Sequence, residues 1–301
     1  MLGLEKRNLG KTDYRATFLG FGALEIGRNW GLGQGSEVER PSEEVAGQVL
    51  NAVLDLGINL IDTASAYHAS ERRIGMLIAH RRREYILASK CGEHSREPHT
   101  YYDFSYQAIV DSIDRSLDLL KTDCVDLMQI HFGPDPGKVL DDGGTVAAMK
   151  DAQKEGKIVL LGASTGGEIA RRCIESGDFD VLQLGYSLLS RGDEALVNLC
   201  GERGMGVLIR GGLGGGRLTP RVIPHLDRLD SNTRTKITAL LDLLDGDADR
   251  LVALGLRFLY RNPNVTSVLA GSKNAAHVRK NLEMFELDID ESLIEQAIQA
   301  T

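Results

Sequence analysis

The chain predicts an α/β fold of the (β/α)8 type, a TIM barrel, with a short N-terminal β-hairpin and long strand-to-helix loops. Three observations carry that expectation. Eight short apolar runs are each followed by a helical pattern. Connections from helix to strand are short and end in glycine or charge, whereas several from strand to helix are long. Successive runs also end on chemistry-bearing residues: 58–61 stops at Asp62 with Tyr67 just beyond, 85–90 ends on Lys90, and 125–131 ends on His131. A barrel presents its chemistry at such strand ends.

In chain order, 4–9 and 14–16 flank the turn-forming Gly10-Lys11-Thr12-Asp13 and read as the leading hairpin. Residues 17–22 are the first buried strand, followed by a glycine-rich polar stretch, 23–40, that carries Trp30, the sole tryptophan. Pro41-Ser42-Glu43-Glu44 opens a helix whose apolar face is Val45, Val49, Ala52, Val53 and Leu56, and Gly57 ends it. The cycle then repeats. Strand 59–61 leads to helix 70–79, and 86–89 to 105–120, with Ile109, Ile113, Leu117 and Leu120 on one face. Next come 125–130 with a helix near 146–155, 158–163 with 168–175, and 181–184 with 194–203. Strand 207–209 precedes helix 248–260, strand 265–270 precedes 275–284, and 291–300 closes the chain. The long connections are 23–40, 91–104, 132–144 and 211–247, the last with a small helix at 234–244. Loops of that length usually line a site.

At 301 residues and 42% hydrophobic composition, residues 1–301 read as one barrel domain with a large core. A net charge of −8, with acids and bases mixed throughout, argues against nucleic acid or an anionic membrane surface. The first residues lack the apolar core of an export signal, and no run approaches the roughly 18–20 apolar residues of a membrane span. Cys91, Cys124, Cys173 and Cys200 are scattered with no paired spacing, which suits reduced thiols in the cytoplasm. A doubly wound dinucleotide fold would place a third glycine in register after Gly20-Phe21-Gly22, where this chain has Ala23-Leu24-Glu25. The barrel is the better reading.

The sequence resembles the aldo-keto reductases. The matching stretches are INLIDTASAYHASERRIG, YILASKCG, VDSIDRSLDLLKTDCVDLMQIH, EGKIVLLGAS, VLQLGYS, the glycine-rich 210–218 and LAGSKNAAHVRKNLE, in the family's order and over nearly the whole chain. The resemblance implies hydride transfer between NADP(H), or NAD(H), and an aldehyde, ketone or sugar, with Asp62, Tyr67, Lys90 and His131 as catalytic residues. Tyr67 is the natural proton donor to a developing alkoxide, but a free tyrosine's pKa of about 10 is high for such work. A nearby ammonium lowers it, Lys90 supplies that charge, and Asp62 pairs with it. His131 polarises the carbonyl oxygen. Taken singly, Asp62 reads as a loop cap, Lys90 as a snorkelling strand end and His131 as a core histidine; together they read as a site.

For the cofactor, the resemblance implies Gly22 and Ala23 at the first strand end, and Ser164 and Gln183 on the nicotinamide carboxamide. Thr165 stands where the family often has asparagine. Arg210 offers a planar guanidinium to stack on the nicotinamide. The backbone around Gly211, Leu213 and Gly215 can approach a pyrophosphate closely. Gly271, Ser272, Lys273, His277 and Asn281 suit the adenosine 2′-phosphate at a helix N-terminus, with Lys273 as the principal cation. On the substrate side, Trp30 and Phe132 are expected to wall the pocket, with Tyr101, Tyr102 and Phe104 as further loop aromatics. His68 stands where the family usually has glycine. Two other readings are open, a nicotinamide-binding sensor or auxiliary subunit with little turnover and a lyase using Lys90 as a Schiff base, and weaker still is a metal-dependent hydrolase. The last finds no ligand spacing among His94, His99 and His131, so no metal is expected. The partner is a small-molecule substrate; the oligomeric state is open.

Overall fold

Eight buried strands that alternate side-chain direction give the molecule two layers of core, one inside a closed barrel and one around it. The computed structural model describes the backbone of residues 1–301 and every side chain but that of Ser36. Strands β1 (Lys6–Asn8) and β2 (Arg15–Thr17) form the expected antiparallel hairpin. Next come β3 (Leu19–Gly22), α1 (Leu24–Gly27), α2 (Glu43–Asp55), β4 (Leu60–Asp62), α3 (Ser70–Ile78) and β5 (Ile86–Cys91). A second hairpin, β6 (Glu93–Arg96) and β7 (His99–Tyr102), precedes α4 (Tyr106–Leu120), β8 (Val125–His131), α5 (Pro136–Asp142) and α6 (Gly144–Lys154). Then follow β9 (Ile158–Ser164), α7 (Gly167–Ser176), β10 (Val181–Gly185), α8 (Glu194–Arg203) and β11 (Gly206–Arg210). The remainder is α9 (Ser231–Leu243), α10 (Arg250–Tyr260), β12 (Ser267–Gly271), α11 (Ala275–Phe285) and α12 (Glu291–Ala300). The parallel ring runs β3-β4-β5-β8-β9-β10-β11-β12 and closes back on β3. Among the described residues, no helix is long and apolar enough to cross a membrane.

Strand periodicity decides where the site lies. Leu60, Ala88, Leu127, Leu160, Val181 and Leu208 cluster inside the barrel, sealed from below by Leu9 and Ala16 of the first hairpin. Their neighbours Ile61, Leu87, Met128, Leu161, Leu182 and Ile209 point outward into the helix layer. Two residues beyond Leu60, Ala88, Leu127 and Val181 the inward positions become Asp62, Lys90, Gln129 and Gln183, all buried. An apolar floor under a polar layer is thus set by period two.

Local chemistry fixes the helices. The Ser42 hydroxyl accepts the Val45 N–H at 3.3 Å, and Glu43 and Glu44 occupy the positive first turn of α2. Ser105 caps α4 in the same way, and that helix stops where Lys121 turns left-handed at φ +54°. At the lower face, Asp126 accepts hydrogen bonds from the Tyr14 hydroxyl (3.0 Å), Arg82 Nη2 (2.7 Å) and the Leu87 N–H (2.7 Å). Burial and the Asp126 charge push the Tyr14 hydroxyl up to about 12. Cys91, Cys173 and Cys200 are buried and Cys124 is half-buried; all four are free thiols.

Segments 23–40, 91–104 and 132–144 depart from expectation, the first by holding helix α1. Residues 91–104, read as a plain loop, hold the β6–β7 hairpin, in which Glu93 pairs with Tyr102 and Arg96 with His99. Its strands are polar on both faces because it packs on the barrel mouth, so apolar alternation gave no sign of it. Gly92 makes the turn into it at φ +95°, where a β-carbon would overlap the Phe104 ring. Helix α5 precedes the helix expected at 146–155, and Pro136 at its start was the available signal.

Candidate active site

The polar layer forms one connected network. Lys90 Nζ lies 2.5 Å from Asp62 Oδ2 and donates to the Thr63 carbonyl at 2.9 Å. Asp62 Oδ1 accepts from Gln129 Nε2 and from Gln183 Nε2, each at 2.9 Å. The Ser164 hydroxyl donates to Gln183 Oε1 at 3.1 Å. Lys90 is fully buried, and burial opposes its charge, but Asp62 and then Tyr67 outweigh that and hold its pKa above an ordinary lysine's. Gln129 was missed from sequence, although it sits two residues beyond Leu127 on the inward face.

Tyr67 sits on the loop after β4, its ring centroid 5.0 Å from the Lys90 ammonium. Burial pushes its hydroxyl up; Lys90 pulls it down, and Asp62 adds to the rise. The net direction is up. The expectation that Lys90 lowers this pKa holds for the lysine's own contribution and fails for the sum, because burial dominates. The tyrosine is therefore a phenol at neutral pH.

His131 ends β8, its ring 6.1 Å from that of Tyr67 and nearly perpendicular to it. Its Nδ1 lies 2.8 Å from Glu93 Oε2, with the ring N–H turned off the line between them. Glu93 Oε1 accepts from the Thr100 hydroxyl at 2.7 Å, and the Glu93 carbonyl accepts from Ser65 at 2.6 Å. Burial would raise the Glu93 carboxyl, but the close His131 ring and the Thr100 hydroxyl, with the Arg28 charge, hold it below its ordinary range. Only the β6–β7 hairpin puts Glu93 here, which is why sequence spacing did not single it out.

These residues open into a cavity of about 630 Å³ at the barrel's C-terminal face. Asp62, Tyr67, His131, Trp30 and Phe132 line it, with Gly22, Ser164, Gln183, Arg210, Gly211, Leu213, Gly215, Gly271, Ser272, His277 and Asn281. Three expected residues do not: Ala23, Lys273 and Lys90, the last fully buried against Asp62. Ala23 is buried beneath the mouth, its N–H on the Asp62 carbonyl and its own carbonyl on the Ser70 hydroxyl. Lys273 donates to the backbone carbonyls of Glu37 and of Glu39 (2.8 Å), because the loop after β3 folds across to reach it. Lys273 is therefore a loop tether in this arrangement. Glu25, Arg28, Arg221 and Lys280, which the sequence reading passed over, do line the cavity. Glu25 is mostly buried with Oε2 lacking a hydrogen bond; burial pushes its carboxyl up against the charges of Arg221 and Lys273. Arg221 Nη1 is 3.9 Å from it. Phe132 closes one wall by stacking on Phe104, which stacks on Tyr102. Tyr101 lies outside the cavity, against His94 and Arg96.

The sequence model described as the Aldo/keto reductase family matches residues 19–300. An uncharacterised oxidoreductase of Bacillus subtilis is 26% identical, over 93% of this chain and 90% of its own length. The L-galactose dehydrogenase of Arabidopsis thaliana is 27% identical, over 98% and 94%. The NADH-specific methylglyoxal reductase of Escherichia coli is 25% identical, over 99% of both chains. Among solved structures, an aldo-keto reductase from Bacillus halodurans in its holo form superposes with a TM-score of 0.82 at 27% identity, covering 98% of this chain and 95% of that one.

Proposed function

The chain belongs to the aldo/keto reductase family of oxidoreductases, and from that premise we propose that it interconverts an aldehyde, ketone or sugar carbonyl with its alcohol using NADP(H). The observation that carries this reading is the fully buried Lys90–Asp62 pair beneath Tyr67. A buried ion pair is weak evidence for stability but common at sites that manage protons.

A nicotinamide held among these residues would supply the chemistry of hydride transfer to and from the carbonyl carbon. The other half of the balance falls to the protein. Tyr67, protonated at neutral pH, gives its proton to the carbonyl oxygen, and the Lys90 ammonium steadies the phenolate left behind. Asp62 fixes that ammonium, and Gln129 and Gln183 fix Asp62. His131 hydrogen-bonds the carbonyl oxygen, while Glu93 beside Nδ1 turns the opposite ring nitrogen toward the cavity. In alcohol oxidation the roles reverse, and the phenolate takes the proton.

The residues present fit a nicotinamide dinucleotide. Ser164 and Gln183 offer hydroxyl and amide groups on the catalytic side of the cavity. Gly211 turns at φ +68° with open space where a β-carbon would be, which suits close approach of a pyrophosphate to backbone. Arg221 is the cation we assign to the 2′-phosphate in place of Lys273, with Lys280, itself paired with Asp249 at 2.8 Å, adding charge from α11, and His277, whose charged form burial and these two cations disfavour, as a hydrogen-bond partner. The test is a screen of aldehydes, ketones and free sugars with NADPH and NADH, read by the absorbance of the reduced cofactor. Carbonyl-dependent NADPH oxidation is expected. Tight NADPH binding without turnover on any carbonyl would instead favour a sensor.

A further inference from the structure

Partly buried arginines are costly to leave without a partner, and those near the barrel mouth have one. Arg40 pairs with Glu97 at 2.7 Å, and Arg73 donates to the Ile26 carbonyl. Arg28 is the exception. It is half-buried and lines the same cavity as Tyr67 and His131, and among the described residues its guanidinium makes no hydrogen bond and no ion pair.

Its position is fixed by backbone. The Arg28 N–H donates to the Leu24 carbonyl at 3.0 Å, which closes α1. The preceding Gly27 accepts the Ala69 N–H at 3.3 Å, and a β-carbon on Gly27 would run into the Tyr67 carbonyl. Arg28 therefore leaves the chain where α1 presses on the loop that carries Tyr67. Its charge is felt by Glu93, His68 and Tyr102 on the catalytic side. The cations Arg221, Lys273 and Lys280 are felt instead by Glu25 and His277 on the other side. The cavity thus holds two separate positive regions. The carboxylate that feels Arg28's charge, Glu93, lies against His131 and accepts from Thr100.

We propose that Arg28 anchors a carboxylate carried by the substrate, so that the preferred carbonyl compounds are oxo-acids and aldehyde acids. The proposal rests on the oxidoreductase reading and narrows its substrate class. A planar guanidinium grips a carboxylate through two parallel hydrogen bonds, and one fixed charge matches one carboxylate charge. A phosphate monoester, carrying nearly two charges, calls for more cations than Arg28 alone. Trp30, half exposed beside it in the cavity, offers an apolar face for the carbon skeleton.

The test compares matched aldehydes: 4-carboxybenzaldehyde against 4-methylbenzaldehyde, and succinic semialdehyde against butanal. Wild type is expected to favour the acid of each pair in kcat/KM by about ten- to a hundredfold, the worth of a charge-assisted contact. Arg28→Leu should erase that preference chiefly through the KM of the acids, with a far smaller loss on the uncharged aldehydes and NADPH affinity near wild type. Arg28→Lys should restore part of it. Unchanged NADPH affinity shows that the Leu variant is folded. Equal loss on acids and neutral aldehydes, no preference in wild type, or a stronger preference for glyceraldehyde 3-phosphate would overturn the assignment. No turnover of any aldehyde by wild type would instead remove the oxidoreductase reading on which it rests.

Discussion

The two ends of the barrel bury charge in opposite ways. At the lower end, Asp126 is saturated by Tyr14, Arg82 and a backbone N–H, and the first hairpin closes the barrel beneath Leu60 and Leu127. At the upper end, Asp62 and Lys90 are just as deeply set, but the groups around them keep free valences. Glu25 Oε2, Gln129 Oε1 and His131 Nδ1 are buried without a well-aligned hydrogen bond, and Arg28 has no partner among the described residues. Native interiors rarely tolerate such groups unless something else completes them. The chain itself completes the lower end at Asp126, although the Tyr85 hydroxyl beside Arg82 is also buried without a partner; at the upper end Glu25, Gln129 and His131 gather such atoms around the cavity, where a bound molecule would complete them.

The sharpest break between the ends is expected at Tyr67. Tyr67→Phe should lower carbonyl reduction by about 10²–10⁴ while the fold stays intact. Lys90→Met should also cost most of the activity. It removes the one charge that pulls the Tyr67 pKa down, so the rise of alcohol oxidation with pH moves to higher pH. Steady-state rates across pH check both, and near-normal turnover by the Phe variant would remove Tyr67 as the acid.

The mirror experiment is Asp126→Ala. It strands the Tyr14 hydroxyl and the Leu87 N–H, so denaturant unfolding should show a loss of about 1–3 kcal/mol. Turnover of the folded fraction should hardly change. A large fall in kcat at unchanged stability would erase the distinction between the ends.

Smaller effects separate the cations of the upper end. Lys280→Ala is expected to weaken NADPH by up to about tenfold and leave NADH alone, which parallel binding titrations read directly. Lys273→Ala should do least, loosening the loop after β3 by about 0.5–1.5 kcal/mol and affecting both cofactors alike. A loss confined to NADPH would return Lys273 to the phosphate.

What the sequence made legible divides along the same line. The eight strands and their helices follow from apolar periodicity, and helix 291–300 has the bounds read from sequence. Asp62, Lys90 and His131 were legible because each ends an apolar run. Gln129 lay within reach, since the period of two that points Leu127 inward also points Gln129 inward. Glu93, Glu25 and Arg28 were not legible. Each sits in a polar segment whose place is set by tertiary docking onto the barrel mouth, and local pattern does not encode that docking. The tether at Lys273 was not legible for the same reason, because its partners are carbonyls some 230 residues away in the chain.

The thiols carry a last consequence. Aldehydes are electrophiles, and a thiolate near the mouth would add to them to form a hemithioacetal. Cys91 follows Lys90 directly, yet burial pushes its thiol up to about 12, as it does for Cys173 and Cys200. Thiolate is the reactive form. At neutral pH these three positions would therefore offer the aldehydes proposed as substrates almost no thiolate, and alkylating reagents should reach them only as the barrel opens, after the half-buried Cys124.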